Sequence, residues 1–370
     1  MINSEWYHIN NIDALDSPAL VIFKDRVKQN INTAISMIGD VKRLRPHVKT
    51  HKTKEATLLQ LQAGITKFKC ATIAECEMLA LCQAPDVLLA YQPVGPKLKR
   101  YTDLVLKYPA TRFSCLIEHL DIAERLSASA VANNINLFYF LDLNTGMNRS
   151  GIIPEKALDL YLNCTKLPRI ECAGLHMYDG HIHDTELATR KQLSDAGFLR
   201  LQMLRQEIMQ KGFAEPSIVA GGTPTFPIHS KREGVECSPG TFIYWDWNYK
   251  MAFREQPFQL AALVITRVVS LPDATTLCLD VGHKSVASEN DLKRRIHFLN
   301  APELQAAGHS EEHLVVKAPL NHNYKIGEVL YGVPYHVCPS AALYERAYTI
   351  EKNNVTGEWK TIARNRKINV

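Results

Sequence analysis

The sequence has no run approaching the roughly 20 apolar residues that a membrane-spanning helix needs. It has no CxxC pair. Its nine cysteines are scattered singly, and their odd number leaves at least one outside any disulfide. That usage suits buried, reduced thiols of a cytosolic protein. Block charge is also missing: there is no arginine-rich tail or basic cluster of the kind that grips nucleic acid. Lysine and arginine total 43 against 38 acidic residues, a net charge of +5. A mild positive excess of this size suits anionic small molecules such as phosphates and carboxylates. The opening MINSEWYHIN has neither a cationic start nor an apolar run, so no signal peptide is expected. These absences together lead us to expect a soluble, cytoplasmic enzyme, with neither a membrane nor nucleic acid as partner.

What is present is a chain of 370 residues, 46% of them hydrophobic, enough for two domains or a barrel with an added module. From Ser17 onward, short apolar runs alternate with helical patterns. PALVIF (18–23) reads as a buried strand. Lys24 to Ile38 reads as a helix, with Val27, Ile31, Ala34 and Ile38 on one stripe. A strand at Leu44 to Lys49, a helix at Lys54 to Ala63, the strand KFKCAT (67–72) and a helix at Ile73 to Leu81 follow. DVLLAY, FSCLIE, INLFYFLDL, ECAGLHMY and PSIVAGG continue the strand series, separated by helical segments such as Leu187 to Lys211. About eight strand–helix units before residue 250 predict an α/β fold, a (β/α)8 TIM-type barrel. A doubly wound open sheet is the second architecture. After Tyr249 the texture changes to strands linked by turns: LAALVITRVVSL, TTLCLDVG, EEHLVVKAPL, EVLYGVPYHVC and WKTIARNRKINV. The expected domains are therefore a barrel at 15–249 and a smaller β-rich domain at 250–370, joined by 1–14.

Six segments carry chemistry. RPHVKTHK (45–52) puts three cations near two imidazoles at a predicted strand end. A lysine among other cations loses its proton more easily, which a Schiff-base amine requires. On a strand, His47 and Lys49 share one face. Taken alone, the run reads as a solvated basic loop. LDLNTGMNRSG (141–151) ends a strand in a turn followed by Arg149, whose fork can serve a phenolate or carboxylate, or simply pair with Asp142. SIVAGGTPTF (217–226) and CSPGTFIY (237–244) each end in a Gly-Thr turn able to cradle a phosphate. YHVCPS places His336 and Cys338 two apart. On a strand they would face the same way and could chelate one metal, Zn²⁺ in preference to Mg²⁺, with open positions left over. HMYDGHIHD (176–184) adds three imidazoles that could supply a third ligand or a base.

Together these segments resemble the fold-type III pyridoxal-phosphate (PLP) enzymes, in the branch of D-threonine aldolase and D-serine dehydratase. The resemblance spans nearly the whole chain, through SPALVIF, RPHVKTHK, CATIAECEML, TGMNRSG, YDGHIH, GGTPT, SPGTF, SEEH and HVC in the family's order. It implies an alanine-racemase-like barrel followed by a β domain. It implies that Lys49 is the Schiff-base lysine, with Lys52 as the rival and His47 beside it. Arg149 would approach the PLP phenolic oxygen, and Tyr178 would lie near the pyridine nitrogen. Gly222, Thr223, Gly240 and Thr241 would bind phosphate. His336 and Cys338 would hold a divalent metal, Zn²⁺ foremost and Mn²⁺ as the alternative, with His181 or His183 as a base. Ser238 stands where alanine racemases carry an arginine, which weakens a racemase reading. The His-x-Cys pair leans toward a dehydratase. The implied function is a PLP- and metal-dependent lyase of D-3-hydroxy amino acids. An amino-acid racemase and a non-catalytic PLP-binding protein are the alternatives. A homodimer is implied, in which one chain's metal pair serves the partner's Lys49.

Overall fold

The computed structural model describes residues 5–370. They form two compact units. An α/β unit gathers Ala34–Lys49, Thr57–Gly240 and Asn365–Val370. A β-rich unit gathers the described residues up to Thr33, with Thr50–Ala56 and Thr241–Arg364. The elements in chain order begin β1 (Ala19–Phe23), α1 (Lys24–Ile38), α2 (Lys54–Gln62), β2 (Lys67–Cys70), α3 (Ile73–Leu81), β3 (Asp86–Leu89) and α4 (Pro96–Lys107). Next come β4 (Arg112–Ile117), α5 (Leu120–Ala132), β5 (Leu137–Leu143), α6 (Pro154–Cys164), β6 (Ile170–Met177), α7 (Leu187–Gln210), β7 (Ser217–Ala220), α8 (Phe226–His229) and β8 (Val235–Cys237). The chain ends with α9 (Trp247–Ala252), β9 (Ala262–Asp273), β10 (Thr276–Leu279), β11 (Ile296–Phe298), β12 (Gln305–His309), β13 (Leu314–Lys317), β14 (Val329–Pro334), α10 (Val337–Leu343), β15 (Arg346–Glu351) and β16 (Asn354–Lys360).

The helices arise from local signals. In α1 the stripe Val27, Ile31, Ala34 and Ile38 is buried, as its helical spacing requires. In α3 the Thr72 hydroxyl accepts from Glu75 N at 3.1 Å, and the Glu75 carboxylate accepts from Ala71 N at 2.5 Å. This reciprocal cap satisfies two donors at the helix start.

In the α/β unit, β2 to β8 form a seven-stranded parallel sheet in sequence order. Leu88, Leu116, Phe140 and Val219 pack as one buried cluster from four of these strands. The segment at 44–48 runs beside both ends of the series. Leu44 bridges Cys237 of β8, and His47 bridges Lys69 of β2. Arg45 N donates to Cys237 O and Val48 N to Lys69 O, both at 2.9 Å, while Lys69 N donates to Pro46 O at 2.8 Å. The strand expected at Leu44 to Lys49 is thus reduced to isolated bridges. Pro46 has no N–H for a ladder, and the chain turns at Val48–His51.

Two expectations are corrected. The strand in PALVIF does not join the parallel series: β1 pairs antiparallel with β9 and parallel with β15, inside the β-rich unit. Its place in the parallel count is taken by β8, a three-residue strand too short to read from sequence. The run WKTIARNRKINV is strand only to Lys360. Its last residues instead belong to the α/β unit, where Asn369 N and Val370 N donate to the buried Glu77 carboxylate at 2.9 and 3.1 Å. The β-rich unit is a mixed sheet ordered β12-β13-β10-β9-β1-β15-β16, with β14 bridging β9 and β11.

Candidate active site

In the α/β unit, Lys49 sits in the turn that follows the 44–48 segment and is half-buried. Its backbone N–H donates to His47 Nδ1 at 3.1 Å, which fixes that imidazole beside it. The neighbouring β2 supplies a residue that sequence reasoning missed. Lys69 is only 2% exposed. Burial, and after it the nearby charge of Lys49, push its ammonium down to about 7 against the opposing pull of Asp142 and Asp179. Its Nζ lies 3.4 Å from His176 Nε2, and His176 Nδ1 lies 2.7 Å from Asp142 Oδ1. Burial, then Lys69, lowers the His176 pKa, so this imidazole is neutral, and the network assigns its proton to Nδ1 facing Asp142. Asp142 also accepts from Ser150 Oγ at 3.1 Å, and its partners are these rather than Arg149.

Tyr178 follows β6. The Arg149 guanidinium lies 4.9 Å and Lys69 Nζ 5.6 Å from its ring centroid. The ring is confined by two glycines. A Cβ at Gly180 would lie 2.4 Å from Tyr178 Cε1, and one at Gly222 would lie 2.9 Å from Cε2. The Gly222–Thr223 turn after β7 and Gly240 are brought together, since Gly240 N donates to Thr223 Oγ1 at 3.0 Å. Behind the turn, Thr225 Oγ1 donates to Asp179 Oδ1 at 2.7 Å, and His229 Nε2 lies 2.8 Å from Asp179 Oδ2. Burial would raise the Asp179 carboxyl, but His229 and the Thr225 hydroxyl hold it below its ordinary value. Ser238 Oγ is buried with no hydrogen-bond partner among the described residues. His181 and His183 are both exposed, and His181 packs on the Gly146 turn, where a Cβ would lie 2.7 Å from its Nε2.

The β-rich unit holds the other expected residues. His336 and Cys338 are not on a strand: His336 caps α10 and Cys338 lies in its first turn. Their side chains still hydrogen-bond to each other. His336 Nδ1 lies 2.6 Å from Glu289 Oε1. Burial would lower the His336 pKa, but Cys338, Asp246 and Glu289 raise it to about 9. Thr50 and Thr241 hydroxyls lie 3.0 and 3.5 Å from Cys338 Sγ, so Thr241 faces the thiol. Lys52 sits in this unit at φ 54°, its carbonyl accepting from Ala363 N at 3.1 Å. Among the described residues no group of three or more histidine, cysteine or acidic side chains is arranged to hold a metal ion, so the chain offers the pair rather than a closed site. No helix of the described residues is long and apolar enough to cross a membrane.

The profile of the family described as "Alanine racemase, N-terminal domain" matches residues 22–246. The chain belongs to this family. A second profile, "Putative serine dehydratase domain", matches 261–350. Among curated proteins, the chain is 25% identical over 360 residues to D-threonine aldolase of an Arthrobacter species, covering 95% of this chain and 93% of that protein. It is 23% identical to D-serine dehydratase of Dictyostelium discoideum, covering 93% and 96%. Likeness to alanine racemase 1 of Clostridium acetobutylicum, at 26% identity, stops at 44% of this chain. The fold is that of the crystal structure of D-threonine aldolase from Filomicrobium marinum, with a TM-score of 0.88, 24% identity, and coverage of 97% and 98%.

Proposed function

We propose that this protein is a PLP- and divalent-metal-dependent lyase of D-3-hydroxy amino acids, of the D-threonine aldolase or D-serine dehydratase type. The observation that carries this reading is full-length similarity to aldolases and dehydratases of such substrates, covering both the lysine-bearing and the His-x-Cys-bearing parts of the chain. The sequence likeness to alanine racemase 1, by contrast, extends over only 44% of the chain.

The barrel-unit residues fit the cofactor. The orphaned Ser238 hydroxyl needs a polar partner, only glycine at 180 and 222 admits the Tyr178 ring where it stands, and the Gly222–Thr223 turn tied to Gly240 is the turn that would receive the phosphate. Bound PLP supplies a conjugated electron sink for the substrate α-carbon. Lys49 would hold it covalently through Nζ and carry the α-proton, with His47 keeping the turn in place. Arg149 and Tyr178 would orient the ring. His336 and Cys338 fit a divalent ion: Glu289 holds the imidazole by Nδ1 and leaves Nε2 for the metal, as in other histidine-ligated sites. They would hold the ion, which supplies Lewis acidity toward a substrate hydroxyl. Zn²⁺ suits this nitrogen–sulfur pair, with Mn²⁺ as the alternative.

The 44–48 segment, hydrogen-bonded to both β8 and β2, is the eighth stave of a closed (β/α)8 barrel. The enzyme is cytoplasmic and works as a homodimer. The test is product analysis with D-serine and D-threonine. Keto acid with ammonia, or glycine with an aldehyde, supports the lyase reading, and an L-isomer as sole product overturns it.

A further inference from the structure

The geometry points to Lys69, aligned by His176 and Asp142, as the second proton carrier of the PLP site, exchanging a proton with the substrate hydroxyl while Lys49 serves the cofactor. The inference rests on the proposed PLP reading but concerns a residue that the sequence motifs do not single out. Lys69 is an amine with almost no solvent access in a parallel strand where an apolar side chain would be cheaper to bury. Its neighbours form a directed series. The Asp142 carboxylate fixes the His176 proton on Nδ1, so Nε2 is left to accept an N–H from Lys69 at 3.4 Å. The amine's remaining valence is then free for another partner, and Nζ already faces the Tyr178 ring that the site confines.

The groups facing this amine are Lys49, Arg45, Asp142, Asp179, His176 and the Tyr178 ring. Two cations and two carboxylates balance. Burial then decides the matter and leaves the amine poised near neutrality, the range in which a proton carrier is most effective. In carbon–carbon cleavage the hydroxyl O–H breaks, its proton passes to Lys69 Nζ, and the freed electron pair forms the aldehyde C=O as the Cα–Cβ pair stays on Cα. In dehydration the transfer runs the other way: protonated Lys69 gives its proton to the departing hydroxide, which leaves as water. The exposed His181 and His183 are the competing bases.

The test uses the PLP-loaded protein and its Lys69→Met variant, which removes the amine but keeps an apolar side chain of similar length. Borohydride reduction and peptide mapping come first. Label on Lys49 in both proteins is expected; label elsewhere in the wild type sinks the cofactor reading rather than this inference. Bound-cofactor absorbance is then followed from pH 5.5 to 9. We expect a titration step near pH 7 in the wild type that disappears in Lys69→Met, with kcat/KM for D-threonine or D-serine falling at least about 100-fold. Lys69→Arg keeps the charge but cannot give up its proton, so it should retain cofactor and not restore turnover. If Lys69→Met carries label on Lys49, keeps the step and keeps kcat/KM within about threefold, the proton-carrier role is refuted. If a His181 or His183 variant alone removes the step, the role is likewise refuted.

Discussion

Arg45→Met should unfold the α/β unit more easily than any surface substitution of that unit. Arg45 is 2% exposed and lies in the 44–48 segment. Its Nε meets Glu236 Oε2 at 2.7 Å and its NH1 meets Asp86 Oδ1 at 2.5 Å, so one guanidinium ties that segment to the middle of β8 and the start of β3. The two carboxylates are 11% and 21% exposed. Removing one member of a buried ion pair costs about 3–5 kcal/mol, because the partner stays buried without its counter-charge. Here Lys67 also contacts Glu236, and Asp86 is partly hydrated, which points to the lower end, about 3 kcal/mol. Urea denaturation followed by circular dichroism reads this as an earlier first transition. Adding Glu236→Gln to Arg45→Met should recover part of the loss. Arg45→Lys should not rescue, since one ammonium cannot fork between two carboxylates. A loss below about 1 kcal/mol for Arg45→Met would refute the claim that this ion cluster anchors the segment leading into the Lys49 turn.

Acid should destabilise the protein through His51, which burial lowers to about 3. An unfolded histidine takes up its proton near pH 6.5 and this folded one does not until about 3, so stability falls with pH across that window, by up to about 1.4 kcal/mol per unit. In His51→Gln the slope of unfolding free energy between pH 6 and 4 should flatten; an unchanged slope would contradict the assignment. Gly222→Ala should displace Tyr178, because the new methyl would sit 2.9 Å from its ring, and should weaken PLP binding by about tenfold or more in titrations of the cofactor-free protein.

Much of this molecule is written in local sequence signals, and what is not depends on distant partners. The helix α1 spans the residues that its apolar stripe marks, Lys24–Ile38, because helical periodicity is a property of neighbours. β1 is equally visible as a strand, yet nothing in ALVIF tells which sheet it joins. A strand buried on both faces carries no alternation, and its partners β9 and β15 lie more than 200 residues away. KFKC reads as a strand, but nothing in it distinguishes its two lysines: Lys67 is 30% exposed, whereas Lys69 is enclosed by β5 and β6 side chains. The spacing of His336 and Cys338 points to their pairing, but by way of a strand. The chain instead turns into α10 at His336, and a helix start brings the two side chains together.

The most direct test of the central claim is turnover. Protein loaded with PLP and supplied with Zn²⁺ or Mn²⁺ is incubated with D-threonine and, separately, with D-serine, and the products are identified by proton NMR, with Lys49→Ala as control. The expected outcome is a keto acid with ammonia, or glycine with an aldehyde, loss of this activity on chelation, and none from Lys49→Ala. Undiminished activity in Lys49→Ala, or conversion of the D- to the L-amino acid alone, would contradict it.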